Sequence, residues 1–312
     1  MEENQFSGLL FNLKRNWIAY VYLLPMFAVL VFLNLYPIGY TVYISMTNFG
    51  IGGPTSFRDY KFIGLANYTS VFFSSYQKGI TVDLLRNSLV WATGSIAIFI
   101  PMGLLLATLL NQQIRGKWAY RTLILFPWAM PAFISLLTWE NMLNLEYGVV
   151  NTMLASLGFS RVNWLGGTPV QVWSALFLTN TWLSFPFYTI VFLAAMQAIP
   201  REMYESAQVD GAGSWRIFSR VTVPYILPTV LFVGITGWLF TFNNFYPIYL
   251  LTSGGPGYTS EIFVVKAYQY AFSQNSFEFA IAGTYSVIDF IILLAVAVIA
   301  IKYARLTEGW LK

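Results

Sequence analysis

The side chains of this protein that could do chemistry are amides, hydroxyls and carboxylates, because cysteine and histidine are both absent from its 312 residues. Without them, the sequence excludes disulfides, thiol nucleophiles, imidazole bases and the common zinc sites. We therefore expect no catalytic residue and no metal site in this chain. Its polar groups are better suited to holding a ligand by hydrogen bonds than to breaking its covalent bonds.

Two asparagines lie inside otherwise apolar segments. Asn180 is within one such segment, and Asn244 ends the run Thr241-Phe242-Asn243-Asn244 within another. A buried amide must find hydrogen-bond partners, which are either a ligand or a neighbouring helix. Both interpretations stay open at this point.

Two acids also interrupt apolar segments. A lone carboxylate in hydrocarbon is costly and is a functional candidate for that reason. Glu140 lies near the end of its segment, where we expect water to reach it, whereas Asp289 lies deep inside another segment. Asp289 could serve function directly or pair with another subunit, and the sequence does not separate these two roles.

The elements that must position these groups are membrane helices. The chain is 57% hydrophobic and 10% charged, with a mean hydropathy of +0.61, whereas about a quarter of the residues of an ordinary soluble domain are charged. A helix needs about 20 apolar residues to span a bilayer. Since the apolar runs are continuous, they do not fit a membrane barrel. We predict an all-α polytopic bundle with six spans, at about 17–47, 86–112, 118–142, 169–198, 225–251 and 279–303.

The basic residues give the orientation of these spans. Eleven Lys and Arg residues fall in connections on one side and six on the other, so the positive-inside rule places both termini in the cytoplasm. Because these residues set topology, the net charge of +4 does not indicate a nucleic-acid partner. We predict a cytoplasmic N-terminal segment at 1–16 without a removable signal peptide, a transmembrane domain at 17–303 and a cytoplasmic tail at 304–312. Short helices are expected in the outer loops 48–85 and 143–168.

The cytoplasmic connection at 199–224 differs from the other loops because it is polar and amphipathic. Pro200 is expected at the first helical position, and Asp210-Gly211 reads as a helix stop. Ser214 is expected to cap a second short helix. The pattern therefore predicts a helix, a turn and a helix outside the membrane, which is an incidental connector or a docking element.

The spacing of residue types in this connection is specific. It reads Glu205-Ser206-Ala207, two residues, Asp210-Gly211-Ala212, five residues, Phe218, two residues, Val221, two residues, Pro224. The stretch resembles the cytoplasmic coupling loop of the permeases of binding-protein-dependent ABC importers. It departs from that pattern at Ser206, where Ala is usual, and at Val221, where Ile is commoner.

The resemblance implies contact with a cytoplasmic ATPase. Small residues would allow close approach of the partner, while Met203, Tyr204, Trp215 and Phe218 would fill its groove. The carboxylates of Glu205 and Asp210 would bind the ATPase or merely complete the helix ends. The expected coupling residues are Glu205, Ser206, Ala207, Asp210, Gly211, Ala212, Phe218 and Pro224.

The same resemblance implies the other partners of the chain. This chain contains no Gly-rich phosphate loop followed by Lys and Ser or Thr. ATP and Mg would therefore be used by partner subunits, and this chain would bind no cofactor. The expected partners are a second homologous permease, two cytoplasmic ATP-binding subunits, an extracytoplasmic solute-binding protein, a carbohydrate substrate and membrane lipid. The expected location is the cytoplasmic membrane of a bacterium or archaeon.

Further stretches resemble the larger permease subunit of maltose-type importers, without the large periplasmic insertion of its enterobacterial member. The resemblance covers about residues 20–305. It rests on Phe62 to Tyr68 (FIGLANY), Asn163-Trp164-Leu165, Asn180-Thr181-Trp182-Leu183, Phe242-Asn243-Asn244-Phe245, Leu250-Leu251-Thr252 and Gly254-Gly255-Pro256.

This resemblance implies a sugar site where helices are interrupted near the bilayer midplane. Pro186 is expected to interrupt the fourth span, and the run at 241–244 the fifth. Thr241 stands where the family has Asn, and Ser184 where it has Gly, so the ligand could differ in shape. The implied site residues are Asn180, Leu183, Ser184, Phe187, Gly237, Phe240, Thr241 and Asn244.

Three other functions compete with that of a sugar importer. A permease of the same fold could carry another solute, which the sugar-type stretches argue against. An ion-coupled carrier would normally show a chain of buried carboxylates or histidines, and this chain has no histidine and one deep Asp. An intramembrane enzyme would need a nucleophile and a base that the sequence does not offer.

Overall fold

The computed structural model describes residues 17–50, 59–112, 115–273 and 277–308. The predicted segment 1–16 and the last residues of the predicted tail lie outside these ranges. Within them the chain is helical, as predicted. The helices are α1 Trp17–Ser45, α2 Ala66–Phe73, α3 Ser75–Asn111, α4 Lys117–Ala129, α5 Ala132–Met142, α6 Val149–Ser156, α7 Pro169–Gln197, α8 Arg201–Val209, α9 Ser214–Phe242, α10 Phe245–Thr252, α11 Phe263–Phe272 and α12 Phe279–Glu308.

The predicted number of spans is confirmed. Five of the helices in the described ranges, α1, α3, α7, α9 and α12, are long and apolar enough to cross a membrane. The pair α4 and α5 forms a sixth span if its two halves are counted together, although they are bent by 89°. The short helices α2 and α6 lie in the predicted outer loops.

The prediction of one continuous third span was wrong. The helix stops at Ala129, and Met130 has the extended ψ angle of 139° before Pro131. The ring of a proline disfavours helical geometry in the residue before it, which explains why the chain breaks here. A new helix, α5, then begins at Ala132 in another direction.

The prediction for the fifth span was partly right. Its helix begins at Ser214, about ten residues before the predicted start, and ends at Phe242. The predicted interruption is present, since Asn243 and Asn244 separate α9 from the short helix α10. The expected interruption of the fourth span at Pro186 is absent, because α7 runs continuously through that proline.

The centre of the bundle is the packing of α3 against α7. A Cβ added to Gly103 of α3 would lie 2.7 Å from the Cβ of Tyr188 on α7, so a glycine is needed at this crossing. Close approach through small residues is the usual way in which membrane helices pack. Ala107 and Phe192 are fully buried at the same interface.

The stretch FIGLANY packs against the end of the bundle that is predicted to face outward. Asn67 Nδ2 donates hydrogen bonds to the backbone oxygens of Ser45 at 2.8 Å and Thr47 at 2.7 Å, where α1 ends. The hydroxyls of Ser45 and Tyr68 lie 2.6 Å apart. The Thr284 hydroxyl of α12 also donates to the backbone oxygen of Ser45, so these contacts join the end of α1 to the first turns of α12.

Candidate functional site

A cleft of about 300 Å³ lies where the two interrupted spans meet α7. One wall comes from the break between α4 and α5, a second from the middle of α7, and the third from the start of α10 after the break in α9. Discontinuous helices are the elements from which transporters build substrate sites. The lining residues are Pro127, Trp128, Met130, Ala132, Leu136, Asn180, Leu183, Ser184, Asn244, Tyr246 and Pro247.

The two asparagines singled out in the sequence meet in this cleft. Asn180 is 1% exposed, and its Nδ2 donates to Ser95 Oγ of α3 at 3.2 Å. Asn244 Nδ2 donates to Asn180 Oδ1 at 3.4 Å, which links α7 to the break after α9. An amide offers two donor hydrogens and two acceptor lone pairs, so these bonds leave capacity unused. Within the described residues, the Oδ1 atom of Asn244 accepts no hydrogen bond, and it can receive one from a ligand.

Four of the eight predicted site residues line the cleft, namely Asn180, Leu183, Ser184 and Asn244. The other four lie elsewhere, for reasons of helix direction and packing. Phe187 is beside the cleft, with its ring centre 6.3 Å from that of Trp128. Gly237 packs against the hydroxyl end of Tyr188.

The remaining two predicted residues face other surroundings. Phe240 is 80% exposed on the outside of the bundle, and Thr241 is buried inside it. Both lie before the end of α9, and the chain changes direction between them and Asn244. A ligand role for them is therefore not supported by their position in this conformation.

One wall of the cleft and part of another were not predicted from the sequence. Trp128 and Met130 come from the break between α4 and α5, and Tyr246 comes from α10. The pair Met130-Pro131 was the available signal, because a proline inside an apolar run marks a possible break. Trp128 is more than half exposed, so part of its indole surface is free to contact a ligand.

The polar side chains that line the cleft are uncharged. Its hydrogen-bonding side chains are two amides, a serine hydroxyl, a phenol and an indole, and the other lining residues are apolar. Among the residues that the structure describes, no Lys, Arg, Asp or Glu lines this cleft. Such a mixture of apolar faces and a few polar groups fits a small organic ligand that is rich in hydroxyls.

The second candidate surface is the predicted coupling surface, which consists of α8 and the turn that follows it. Gly211 has φ of +73°, Gly211 N donates to Gln208 O at 3.0 Å, and Ala212 N donates to Ala207 O at 2.9 Å. This pair of bonds is the Schellman motif that ends many helices, and its left-handed position favours glycine. The predicted helix stop at Asp210-Gly211 is therefore confirmed.

Other expectations for this connection need correction. Pro200 stands before the first helical residue of α8 rather than at it. Ser214 begins α9 and does not cap it, since the capping position is Gly213 and no side chain bonds there. The second short helix is absent as a separate element, because Ser214 to Phe242 form one helix.

The side chains of this surface divide into two groups. Met203 and Trp215 are exposed, the latter at 76%, and can contact a partner. Tyr204 and Phe218, also expected to face a partner, pack instead against the core of the bundle. Glu205 is exposed and lies 3.2 Å from Arg201 in an ion pair. Five of the eight coupling candidates are exposed, namely Glu205, Ser206, Asp210, Gly211 and Pro224. The other three, Ala207, Ala212 and Phe218, are half-buried.

Of the two acids in apolar segments, Glu140 is partly exposed near the end of α5. Asp289 is buried within its own bundle, and its Oδ1 has no hydrogen-bond partner among the described residues. This burial argues against direct pairing with another subunit.

Among the described residues, no group of three or more carboxylates could hold a metal ion.

The chain is similar to known membrane proteins over nearly its whole length. Residues 99–307 match the family described as binding-protein-dependent transport system inner membrane component. The trehalose/maltose transport system permease protein MalF of Thermococcus litoralis is 32% identical over 308 residues, which cover 98% of this chain and 99% of that protein. The maltodextrin transport system permease protein MdxF of Bacillus subtilis is 30% identical over 298 residues, covering 91% and 68%.

Two further comparisons concern length and fold. The maltose/maltodextrin permease MalF of Escherichia coli is 30% identical over 254 residues, which cover 78% of this chain and 49% of that protein. In a crystal structure of a bacterial ABC transporter involved in the import of the acidic polysaccharide alginate, one chain superposes with a TM-score of 0.79. It is 25% identical, with 96% of this chain and 98% of that chain covered.

Proposed function

Because the chain belongs to the family of binding-protein-dependent transport system inner membrane components, we propose that it is the permease subunit of a sugar importer. It passes a sugar or oligosaccharide from an external solute-binding protein into the cytoplasm by alternating access. The ATPase subunits of an ATP-binding cassette transporter drive this cycle. The chain itself performs no chemical step.

The observation that carries this proposal is the path between the coupling loop and the cleft. Helix α9 begins at Ser214, directly after the Schellman turn, and ends at Phe242, two residues before Asn244. Its 29 residues span about 40 Å at 1.5 Å per residue. One helix therefore connects the docking surface to a cleft residue, so a shift of the coupling loop is transmitted to the cleft.

The coupling end of this path suits the groove of a partner. Met203 and Trp215 are exposed apolar side chains on neighbouring helices, and the turn between them carries small residues. Aromatic side chains and Met are enriched where protein surfaces bind each other. Two cytoplasmic ATP-binding subunits, which use ATP and Mg, and a second permease would complete the complex in the cytoplasmic membrane.

The cleft end favours an uncharged sugar. Trp128 can stack on a pyranose face, while Asn180, Ser184 and Asn244 can bond to hydroxyl groups. An anion moved away from water without a nearby cation is strongly disfavoured. No described residue that lines this cleft is cationic, so the chain is better suited to neutral sugars than to acidic alginate. The names of its maltose and maltodextrin relatives agree with this preference.

Uptake into proteoliposomes tests this proposal. The complete importer, supplied with its binding protein and internal ATP, is expected to accumulate radiolabelled maltotriose and to exclude a radiolabelled alginate trisaccharide. Trp128→Ala is expected to slow maltotriose uptake about tenfold, since an aromatic platform contributes on the order of 1 kcal/mol or more. Trp118→Ala, on the same helix but away from the cleft, is the matched control. Uptake of the acidic trisaccharide, or of neither sugar, would contradict the proposal.

A further inference from the structure

A buried ion pair lies in the extracytoplasmic segment between α10 and α12, apart from the cleft. Lys266 Nζ is 3.4 Å from Glu261 Oε1 and 3.3 Å from Glu261 Oε2. Glu261 is 2% exposed and Lys266 is 7% exposed. Because charged residues are almost never this deeply buried unless they are paired, the pair needs an explanation.

The surroundings hold both partners from several sides. Lys266 Nζ lies 4.6 Å from the ring centre of Tyr258 and 5.3 Å from that of Tyr270. Asn87 Nδ2, on α3, donates to the backbone oxygens of Tyr258 at 2.8 Å and Glu261 at 3.1 Å. The ion pair is thus joined to α3, the central helix of the bundle.

A buried ion pair is a costly way to stabilise a fold. Burial raises the pKa of the Glu261 carboxyl, and this outweighs the opposite effect of the Lys266 ammonium. Apolar residues of similar volume often stabilise such a position as well or better, so a buried pair points to a requirement for geometry.

The geometry that the pair controls is that of α10. Gln269 Nε2 donates to Ser253 O at 2.9 Å, just after the end of α10, and the hydroxyls of Thr252 and Ser260 lie 2.9 Å apart. Gly254 has φ of +84°, and a Cβ added there would lie 2.9 Å from the Glu261 side chain. The loop is therefore packed directly on Glu261.

The first two turns of α10 contact α11, which is the helix that carries Lys266. The ring of Tyr268 on α11 lies 4.9 Å from the ring of Phe245 and 4.9 Å from that of Tyr249, both on α10. Tyr246 and Pro247, which line the cleft, come from this same short helix. Both ends of α10 are thus fixed by contacts to α11 and its preceding loop.

We propose that Glu261 and Lys266 are positioning residues that hold α10 against the bundle, so that Tyr246 and Pro247 form a wall of the ligand path. The role of the wall rests on the proposed function, whereas the fixing of α10 does not. Loss of one charge leaves the other buried and unpaired. Conformations in which the remaining charge reaches water are then favoured. The Ser253–Ser260 loop and α10 then separate from α7, while the rest of the bundle stays packed.

Cysteine labelling tests this proposal, because the natural chain has no cysteine. Ile248→Cys places a thiol on the fully buried face of α10, and Ala107→Cys places one in the fully buried contact of α3 with α7. Each is labelled with N-ethylmaleimide in the purified importer in detergent, without sugar or ATP. The assay is therefore independent of whether the importer carries a sugar.

Lys266→Met and Glu261→Gln are each expected to speed labelling at position 248 by about tenfold or more, because they favour local opening, with position 107 unchanged. Lys78→Met, the same change at an exposed extracytoplasmic lysine, is expected to leave both rates unchanged. Lys266→Arg keeps a cation that can pair with the carboxylate and stack on the tyrosine rings, so it should restore slow labelling. The double variant Glu261→Gln, Lys266→Met should label more slowly than either single variant.

Two results would overturn the proposal. Equal acceleration at positions 107 and 248 would show that the pair only contributes to global stability. Unchanged labelling at position 248 in both single variants would show that α10 keeps its place without the pair.

Discussion

At the scale of residues, two amides line the cleft, and their hydrogen-bond partners could not be predicted from the sequence. Asn180 and Asn244 were identified because they interrupt apolar segments, and both line the cleft. Thr241 was placed with them from the resemblance, but Asn243 leaves helical geometry, so Asn244 no longer follows the register of α9. A sequence gives positions along a helix, whereas the direction taken after a break depends on packing.

Replacing Asn244 by Leu tests whether this amide binds sugar. The change removes the hydrogen bond to Asn180 and the free acceptor that faces the cleft. A lost bond of this kind costs about 1–3 kcal/mol, or roughly tenfold to hundredfold in a binding constant. We expect an assembled importer with reduced sugar uptake and near-normal stimulation of its ATPase by the binding protein.

Ser95→Ala is the control for this variant. It removes the partner of Asn180 on α3 without altering the cleft lining. Uptake should then stay close to that of the natural chain. If Asn244→Leu also transports normally, the asparagines only join helices and the ligand path lies elsewhere.

At the scale of elements, the prolines show which helix breaks could be predicted from the sequence and which could not. The positions of the six apolar segments followed from hydropathy, since each needs about 20 apolar residues. Pro186 was expected to break a span, yet it lies inside continuous α7, while Pro131 stands at an 89° bend that was not predicted. Both are prolines in apolar runs. Whether neighbouring helices compensate for the lost backbone bond decides the outcome, and a single sequence does not contain that information.

The Schellman turn after α8 gives a prediction at this scale. Gly211→Pro removes the N–H that bonds to Gln208 and fixes φ near −65°, which is incompatible with +73°. We expect loss of ATPase stimulation by the sugar-loaded binding protein, measured in proteoliposomes. Gly211→Ala should give a partial loss, since a left-handed alanine costs about 1–2 kcal/mol.

Gly213→Ala is the matched control for the turn. Gly213 has φ of −72°, and an added Cβ meets nothing within 4 Å. Its ATPase stimulation should equal that of the natural chain. Full stimulation in Gly211→Pro would show that this turn does not couple ATP hydrolysis to the helices.

At the scale of the whole molecule, the predicted orientation of the bundle places α8 and the loop before α2 on opposite sides of the membrane. The positive-inside rule predicts that α8 faces the cytoplasm and that α2 faces outward. Ser214 and Leu65 are both exposed, so both can report on orientation. In intact cells, an impermeant thiol reagent should label Leu65→Cys and leave Ser214→Cys unlabelled. Labelling of position 214 from outside would show that the orientation is the opposite of the predicted one.

The energy source for uptake is the most direct test of the account as a whole. Proteoliposomes that contain the complete importer, with its binding protein and radiolabelled maltotriose outside, are compared with and without internal ATP. Ionophores that collapse proton and sodium gradients are then added. We predict accumulation that requires internal ATP and is unchanged by the ionophores. Accumulation that proceeds without ATP and is abolished by the ionophores would contradict the assignment of this chain to an ATP-driven sugar importer.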